Sequence, residues 1–165
     1  MKISASLDYA ATPHEVFAML ADEIFQTRKC VATGALSHTV SVIANGRRTV
    51  IISSRDLPTA DFPSFVQSLV GATLAITETQ DWGPAGRDGA RQGVLTVDIA
   101  GAPIDLDGTL SLAPNGRGSV ETVLGDLRAR IPLIGGKVEK AAAPAIESAI
   151  NAEREIGQSW LASLH

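Results

Sequence analysis

The chain is poor in the features that most directly announce a function. It has one cysteine, Cys30, in 165 residues, which excludes an internal disulfide framework and fits a reducing cytoplasm. Lying on a helix with no obvious base beside it, Cys30 reads as a buried structural thiol. No apolar run approaches the roughly 20 residues that span a bilayer, and the N-terminus lacks the apolar segment of a signal peptide. No integral membrane association is therefore expected. The net charge of −4 argues against nucleic acid, whose phosphates call for clustered Lys and Arg. His14, His38 and His165 stand far apart and match no metal-ligand spacing, so neither a metal nor another cofactor is expected. The glycine-rich stretch Gly86 to Gly93 has neither the Rossmann nor the Walker spacing and reads as a loop. Aromatic residues make up 4% of the chain, so Trp82 and Trp160 are either anchors of a core or stacking walls for a ligand.

What the chain does have is apolar patterning. Hydrophobic residues amount to 45%, enough for one domain over residues 1–165 to bury a core without staples. Lys2-Ile3-Ser4-Ala5-Ser6-Leu7-Asp8-Tyr9 alternates, with Ile3, Ala5, Leu7 and Tyr9 on one face. Thr12-Pro13-His14-Glu15 then forms a capping box with proline at the first helical position. Val16, Phe17, Met19 and Leu20 supply that helix's buried face. A second short helix spans Asp22 to Ala32, with Ile24, Phe25 and Val31 turned inward and Gly34 as its terminator.

From Leu36 the period shifts to two. Val40 and Val42 alternate with Thr39 and Ser41, Asn45-Gly46 makes a hairpin turn, and Val50 and Ile52 return. Asp56 to Pro63 is rich in turn residues, and Ser64 to Val70 forms a short helical turn. Strands follow over Leu74 to Trp82, Gly93 to Ile99, Ile104 to Leu112 and Ser119 to Ala129. Loops at Gly83 to Gly89 and Asn115-Gly116 separate some of these strands. Polar residues on alternate positions indicate an antiparallel sheet wet on one face. Asp105 and Asp107 fall opposite Ile104 and Leu106, on the solvent side.

A helix from Lys137 to Leu164 closes the chain. Val138, Ala142, Ala145, Ile146, Ala149, Ile150, Ile156, Trp160 and Leu164 form its apolar stripe. At ~1.5 Å per residue it runs about 42 Å, long enough to cross a sheet. Pro144 is expected to kink it or to split off its first turns. Ala142, Ala145, Ala149 and Gly157 leave room between helix and sheet.

Taken together, a strand, the segment Thr12-Pro13-x-Glu15-Val16-Phe17-x-x-Leu20-x-Asp22, a run of antiparallel strands, and Ile131-Pro132-Leu133-Ile134-Gly135-Gly136 before a long helix resemble the START-like superfamily. That group is also called SRPBCC or polyketide cyclase-like, and its fold is termed helix-grip. The resemblance covers essentially the whole chain in element order and is closest to an uncharacterised bacterial branch. It implies an α+β helix-grip fold in which a curved seven-stranded antiparallel sheet, with two short N-terminal helices, grips the long C-terminal helix over a cavity. It also implies ligands such as lipids, sterols, polyketides or hormones, and some members are cyclases or dehydratases. Fold alone does not choose among these.

The candidate ligand-binding residues are Glu78, Gln80, Trp82, Arg128, Ala145, Ala149, Trp160 and His38. Glu78 and Gln80 share strand parity with Leu74, Ile76 and Trp82, so both point inward if the strand is regular. A buried Glu needs a partner or a raised pKa, and either suits proton transfer or the fixing of a polar ligand group. Arg128, with Arg130 beside it, offers a cation near the end of the last strand, and His38 begins its own strand. The plainer alternative is that Glu78 and Gln80 reach solvent at a fraying sheet end. No convergent catalytic set emerges, and no catalytic residue is assigned. Three functions fit. The first is a carrier or sensor of a small hydrophobic, lipid- or polyketide-like ligand, acting as a monomer or homodimer. The second is a cyclase- or dehydratase-like enzyme using Glu78 with Arg128 or His38. The third is a protein-interaction module with a filled core.

Overall fold

The computed structural model describes residues 1–165. In chain order its elements are β1 (Lys2–Tyr9), α1 (Pro13–Leu20), α2 (Glu23–Ala32), β2 (Ser37–Asn45), β3 (Arg48–Pro58), α3 (Ser64–Val70), β4 (Thr73–Trp82), β5 (Arg91–Ile99), β6 (Ile104–Pro114), β7 (Ser119–Ala129) and α4 (Gly135–Ala162). The seven strands form one antiparallel sheet in the order β1-β7-β6-β5-β4-β3-β2. Strands β2 to β7 are a continuous meander of neighbours, and β1 is added to the β7 edge. The segment carrying α1 and α2 therefore leads the chain from one edge of the sheet to the other. This is an α+β helix-grip-like fold, with α4 packed against β1, β7, α1 and α2.

Local chemistry explains the helix starts. The Glu15 amide donates to Thr12 Oγ1 at 3.2 Å, and the Thr12 amide donates to Glu15 Oε1 at 3.1 Å, which completes the capping box. Asp22 Oδ1 accepts from the Ile24 amide at 2.8 Å and caps α2. Beyond α2, Gly34 takes φ +83°, the left-handed conformation that lets the chain turn out of the helix.

Several expectations shift in register. On α2, Phe25, Gln26, Lys29 and Cys30 are the buried residues, while Ile24 and Val31 are each 60% exposed. The helix is pinned by Phe25 against Trp160 and by the Gln26 side chain, which donates to the Leu20 carbonyl at 2.6 Å. On β3 the inward face carries Ile51 and Ser53, not Val50 and Ile52. The antiparallel register sets Val42 opposite Ile51 and Val40 opposite Ser53, so those four residues share a face. The hairpin loop is Gly46-Arg47, flanked by the Asn45–Arg48 pair, and Gly46 alone has positive φ. That is the type II′ pattern, which places glycine first. The last helix begins at Gly135, ends at Ala162, and runs unbroken through Pro144. One missing hydrogen bond is tolerable in a helix held along its length by four other elements. Leu164 lies beyond the helix and is exposed, and Leu161 is the buried residue of the final turn.

The packed core gathers at the α1 end of the sheet. Trp82 is wholly buried there, edge-on to Phe17 with ring centroids 5.9 Å apart, among Leu7, Met19, Leu20 and Leu112. Elsewhere between the sheet and α4 the interior is left unfilled.

Candidate functional site

A cavity of about 720 Å³ lies between the inward face of the sheet and α4. Its sheet wall includes Leu74, Ile76, Leu95, Val97, Leu106 and Val123, and its helix wall includes Ala142, Ala145, Ile146 and Ala149. The helix wall is hollow because alanine stands where larger side chains would reach the sheet. Such a volume falls within the roughly 300–1,000 Å³ of small-molecule sites.

The largely apolar wall, which also includes Thr33, Asp61, Asp105 and Ser148, carries one dense polar cluster drawn from five elements. Lys29 of α2, Arg55 of β3, Glu78 and Gln80 of β4, Glu121 of β7 and Glu153 of α4 all line the cavity. Lys29 Nζ lies 2.9 Å from Glu153 Oε2 and 3.9 Å from Glu78 Oε1. Arg55 Nη1 lies 3.9 Å from Glu78 Oε2. The Gln80 side-chain amide donates to Glu78 Oε1 at 2.7 Å, and the Trp82 indole donates to Gln80 Oε1 at 2.9 Å. The cluster is thus tied through Gln80 to the packed core.

These groups are largely buried, Glu78 and Glu153 being the most exposed at 17% and 13% of their side chains. The Lys29 side chain is 8% exposed and that of Arg55 9%, while Glu121 is 1% exposed. Burial opposes the charged amine of Lys29, but the carboxylates of Glu153 and Glu78 outweigh it and hold its pKa above the ordinary lysine range. Burial likewise opposes ionised Glu78, but Lys29, Arg55 and the Gln80 hydrogen bond hold it below the usual carboxylate range. Glu121 goes the other way. Burial, then the neighbouring Glu153 charge, push its carboxyl well above the usual range, and Lys29 only partly opposes this. The cluster therefore sets two basic side chains against three carboxyls, and one of these, Glu121, is biased toward its neutral acid form.

Four buried polar atoms of this region lack a hydrogen-bond partner among donors and acceptors fixed by geometry: Tyr9 Oη, Arg55 Nε, Glu121 Oε2 and Glu153 Oε1. A proton on Glu121 directed at Glu153 accounts for the two carboxyl oxygens together. The Arg55 guanidinium donates no hydrogen bond to any protein group, its nearest ion-pair partner being Glu78 at 3.9 Å. Such groups are costly to bury, at about 1–3 kcal/mol each when left unpaired.

The expected site residues divide evenly. Glu78, Gln80, Ala145 and Ala149 line the cavity. Trp82 is built into the core as its largest anchor. Trp160 packs edge-on against Phe25 at 5.8 Å, beneath the Arg28 guanidinium, outside the cavity wall. Arg128 lies on the outer face, paired with Asp126 at 3.0 Å, and Arg130 pairs there with Asp105. His38 is exposed on the edge strand β2. Cys30 is buried and free. No group of three or more His, Cys, Asp or Glu side chains is placed to hold a metal.

Sequence reasoning missed Lys29, Arg55, Glu121 and Glu153, yet each obeys a simple period. Lys29 follows Phe25 by four residues on α2, and Glu153 follows Ala149 by four on α4. Glu121 shares strand parity with Val123 and Leu127, and Arg55 shares it with Ile51 and Ser53.

A family model described as "Protein of unknown function (DUF2505)" matches residues 4–161 of this chain. The chain belongs to the DUF2505 family. An uncharacterized protein of Mycobacterium tuberculosis is 31% identical to this DUF2505 chain over 107 residues, covering 61% of the chain and 59% of that protein. The match thus spans about three fifths of the curated relatives. The fold is START-like. A START superfamily protein from Mycobacterium smegmatis superposes with a TM-score of 0.57 at 13% identity, covering 96% of this chain and 98% of that one. The di-domain ARO/CYC StfQ from the steffimycin biosynthetic pathway gives a TM-score of 0.64 at 10% identity, covering 96% of this chain and 50% of StfQ. A STAR-related lipid transfer protein from Xanthomonas axonopodis gives 0.54 at 13% identity, with 93% and 85% covered. No helix of the DUF2505 chain is long and apolar enough to cross a membrane.

Proposed function

We propose that this DUF2505 chain binds a small, mostly hydrophobic molecule, lipid- or polyketide-like in character, in the cavity between its sheet and α4. The observation that carries the reading is the cavity itself: about 720 Å³ with largely apolar walls, left open by alanines on α4. The START-like fold supports it, since structures with this fold include a lipid transfer protein and an ARO/CYC. A filled-core interaction module does not agree with so large an internal volume.

The test is native mass spectrometry of the purified protein, followed by organic extraction and identification of whatever is bound. A stoichiometric apolar compound is expected, and the spectra also give the monomer–dimer state. Ala149→Phe, which places a ring in the cavity, is expected to abolish the bound mass while the protein stays folded. A wild-type mass that stays apo across a broad panel of apolar ligands would refute the reading.

A second reading has its own observation in support. A Glu121 carboxyl biased toward its acid form, beside Glu153 and Lys29, offers a buried proton donor at the edge of a largely apolar chamber. A cyclase- or dehydratase-like activity would then use Glu121 and Glu78 with Arg55, because Arg128 and His38 lie outside the cavity. Turnover of an aromatic polyketide substrate by the wild type, lost in Glu121→Gln with binding retained, would favour it over simple carriage.

A further inference from the structure

The charge balance of the cluster points to the head group of the ligand. This inference rests on the cavity being a binding site. Lys29 and Arg55 face three carboxyls, those of Glu78, Glu121 and Glu153, on largely buried side chains of the cavity wall. Groups packed round Glu121 and Glu153 include Tyr9 of β1, Lys29 of α2, Glu78 of β4 and Arg154 of α4. Arg154 spends its guanidinium on Asn151 and the Ser6 carbonyl, and Tyr9 brings a neutral hydroxyl, so neither supplies a third cation to the carboxyls. Two basic side chains balance these three carboxyls only while one carboxyl keeps a proton, and two carboxyl oxygens, Glu121 Oε2 and Glu153 Oε1, have no other donor.

Each class of apolar ligand meets this arrangement differently. A carboxylate head would accept from the Arg55 guanidinium but adds a third negative charge against two cations, which forces a second carboxyl to take up a proton. An alcohol or ketone changes no charge and leaves the Glu121 proton in place. A protonated amine supplies the missing third cation and the missing donors at once, so Glu121 ionises and the count becomes three against three. We infer that the cavity selects an apolar molecule bearing a protonated amine, whose ammonium group sits against the unpartnered Glu121 Oε2 and Glu153 Oε1. The balance is simple. One proton leaves the Glu121 carboxyl for solvent, no covalent bond to the ligand forms, and the net charge of the cluster with its ligand stays zero.

Three ten-carbon probes with one chain and different heads separate the possibilities: decylammonium, 1-decanol and decanoate, each below its micelle concentration. Isothermal titration calorimetry at pH 7 in phosphate and in Tris, whose ionisation heats differ, counts the protons exchanged on binding. Decylammonium is expected to bind with release of about one proton, and at least tenfold more tightly than 1-decanol, because a desolvated ion pair replaces an uncharged contact. Its affinity is also expected to rise with pH from 6 to 8, as proton release requires. Glu121→Gln, which cannot release a proton, is expected to lose both the proton count and the amine preference while still binding 1-decanol. Decanoate binding as tightly as the amine, or amine binding without proton release in the wild type, overturns the head-group inference and leaves the cavity reading standing. Binding by none of the three overturns both. The wild-type proton count needs no variant, so poor folding of Glu121→Gln would not blunt the test.

Discussion

Replacing Lys29 by methionine keeps the length and the apolar stem of the side chain, including its packing near the Phe25 ring, and removes only the charge. What remains is Arg55 against Glu78, Glu153 and the acid of Glu121, with Glu153 stripped of its 2.9 Å partner. Removing one member of a buried ion pair costs about 3–5 kcal/mol, far more than the pair contributes relative to an apolar replacement of both members. For a chain of this size each kcal/mol moves the melting temperature by about 2–4 °C, so a fall of about 6–20 °C is expected by calorimetry or circular dichroism. Glu78 sharpens the prediction through pH. Its folded pKa lies below the unfolded value, so its stabilising contribution is present above the unfolded pKa and is lost as pH falls through the folded one. Because Lys29 is a main cause of that depression, the gap between wild type and Lys29→Met should be widest near neutral pH and narrow as acid protonates the stranded carboxyls. The double variant Lys29→Met/Glu153→Gln should recover most of the loss. A loss under about 1 kcal/mol, the size typical of exposed pairs, would refute the reading of the Lys29–Glu153 contact as a buried pair.

Other perturbations separate the parts of the site. Glu121 has a folded pKa above its unfolded one, so its contribution is full below the unfolded carboxyl pKa and fades as pH rises through the folded value. Thermal melts should therefore show wild-type stability declining on the alkaline side, with Glu121→Gln flattening that decline; parallel curves would contradict it. Gly157→Ala would ordinarily favour a helix interior, but its Cβ would lie 2.6 Å from Tyr9 Cε1. A loss of about 1–3 kcal/mol is expected from overpacking, and a raised melting temperature would show that Tyr9 can move aside. Trp160→Ala should cost about 1–3 kcal/mol, less than a fully buried aromatic, through lost packing on Phe25. Any co-purifying ligand should survive that change in native mass spectra, since Trp160 is not part of the cavity wall.

Much of the fold was legible because its signals are local. The Thr12–Glu15 capping box, the alternation of β1 and the β7 limits Ser119–Ala129 each depend on neighbours within a few residues. The misplaced positions share a different cause. On α2 the apolar residues Ile24 and Val31 were expected inside, yet Gln26 and Lys29 are buried instead. On β3 a one-residue change of face exchanged Val50 and Ile52 for Ile51, Ser53 and Arg55. In both elements the residue that hydrophobicity assigns to solvent is the one that meets a charge from another part of the chain.

The site was hidden by the same rule that made the fold readable. Apolar periodicity treats every charged residue as outward, which holds for Arg128, Arg130 and Asp107 and fails for Lys29, Arg55, Glu121 and Glu153. Each of the four sits on the inward phase of its own element, but each is tolerable there only because the others are present. Lys29 and Glu153 are 124 positions apart and meet at 2.9 Å. Glu78 was found alone because the strand around it is regular enough for parity to outweigh polarity. A charged residue at an inward phase is, in isolation, an exception to be explained away. Five of them, distributed over α2, β3, β4, β7 and α4, converge on one patch of a largely apolar chamber. Such a concentration costs stability that an alkyl lining would not, and under the proposed function recognition of a polar head group is what it supplies in return.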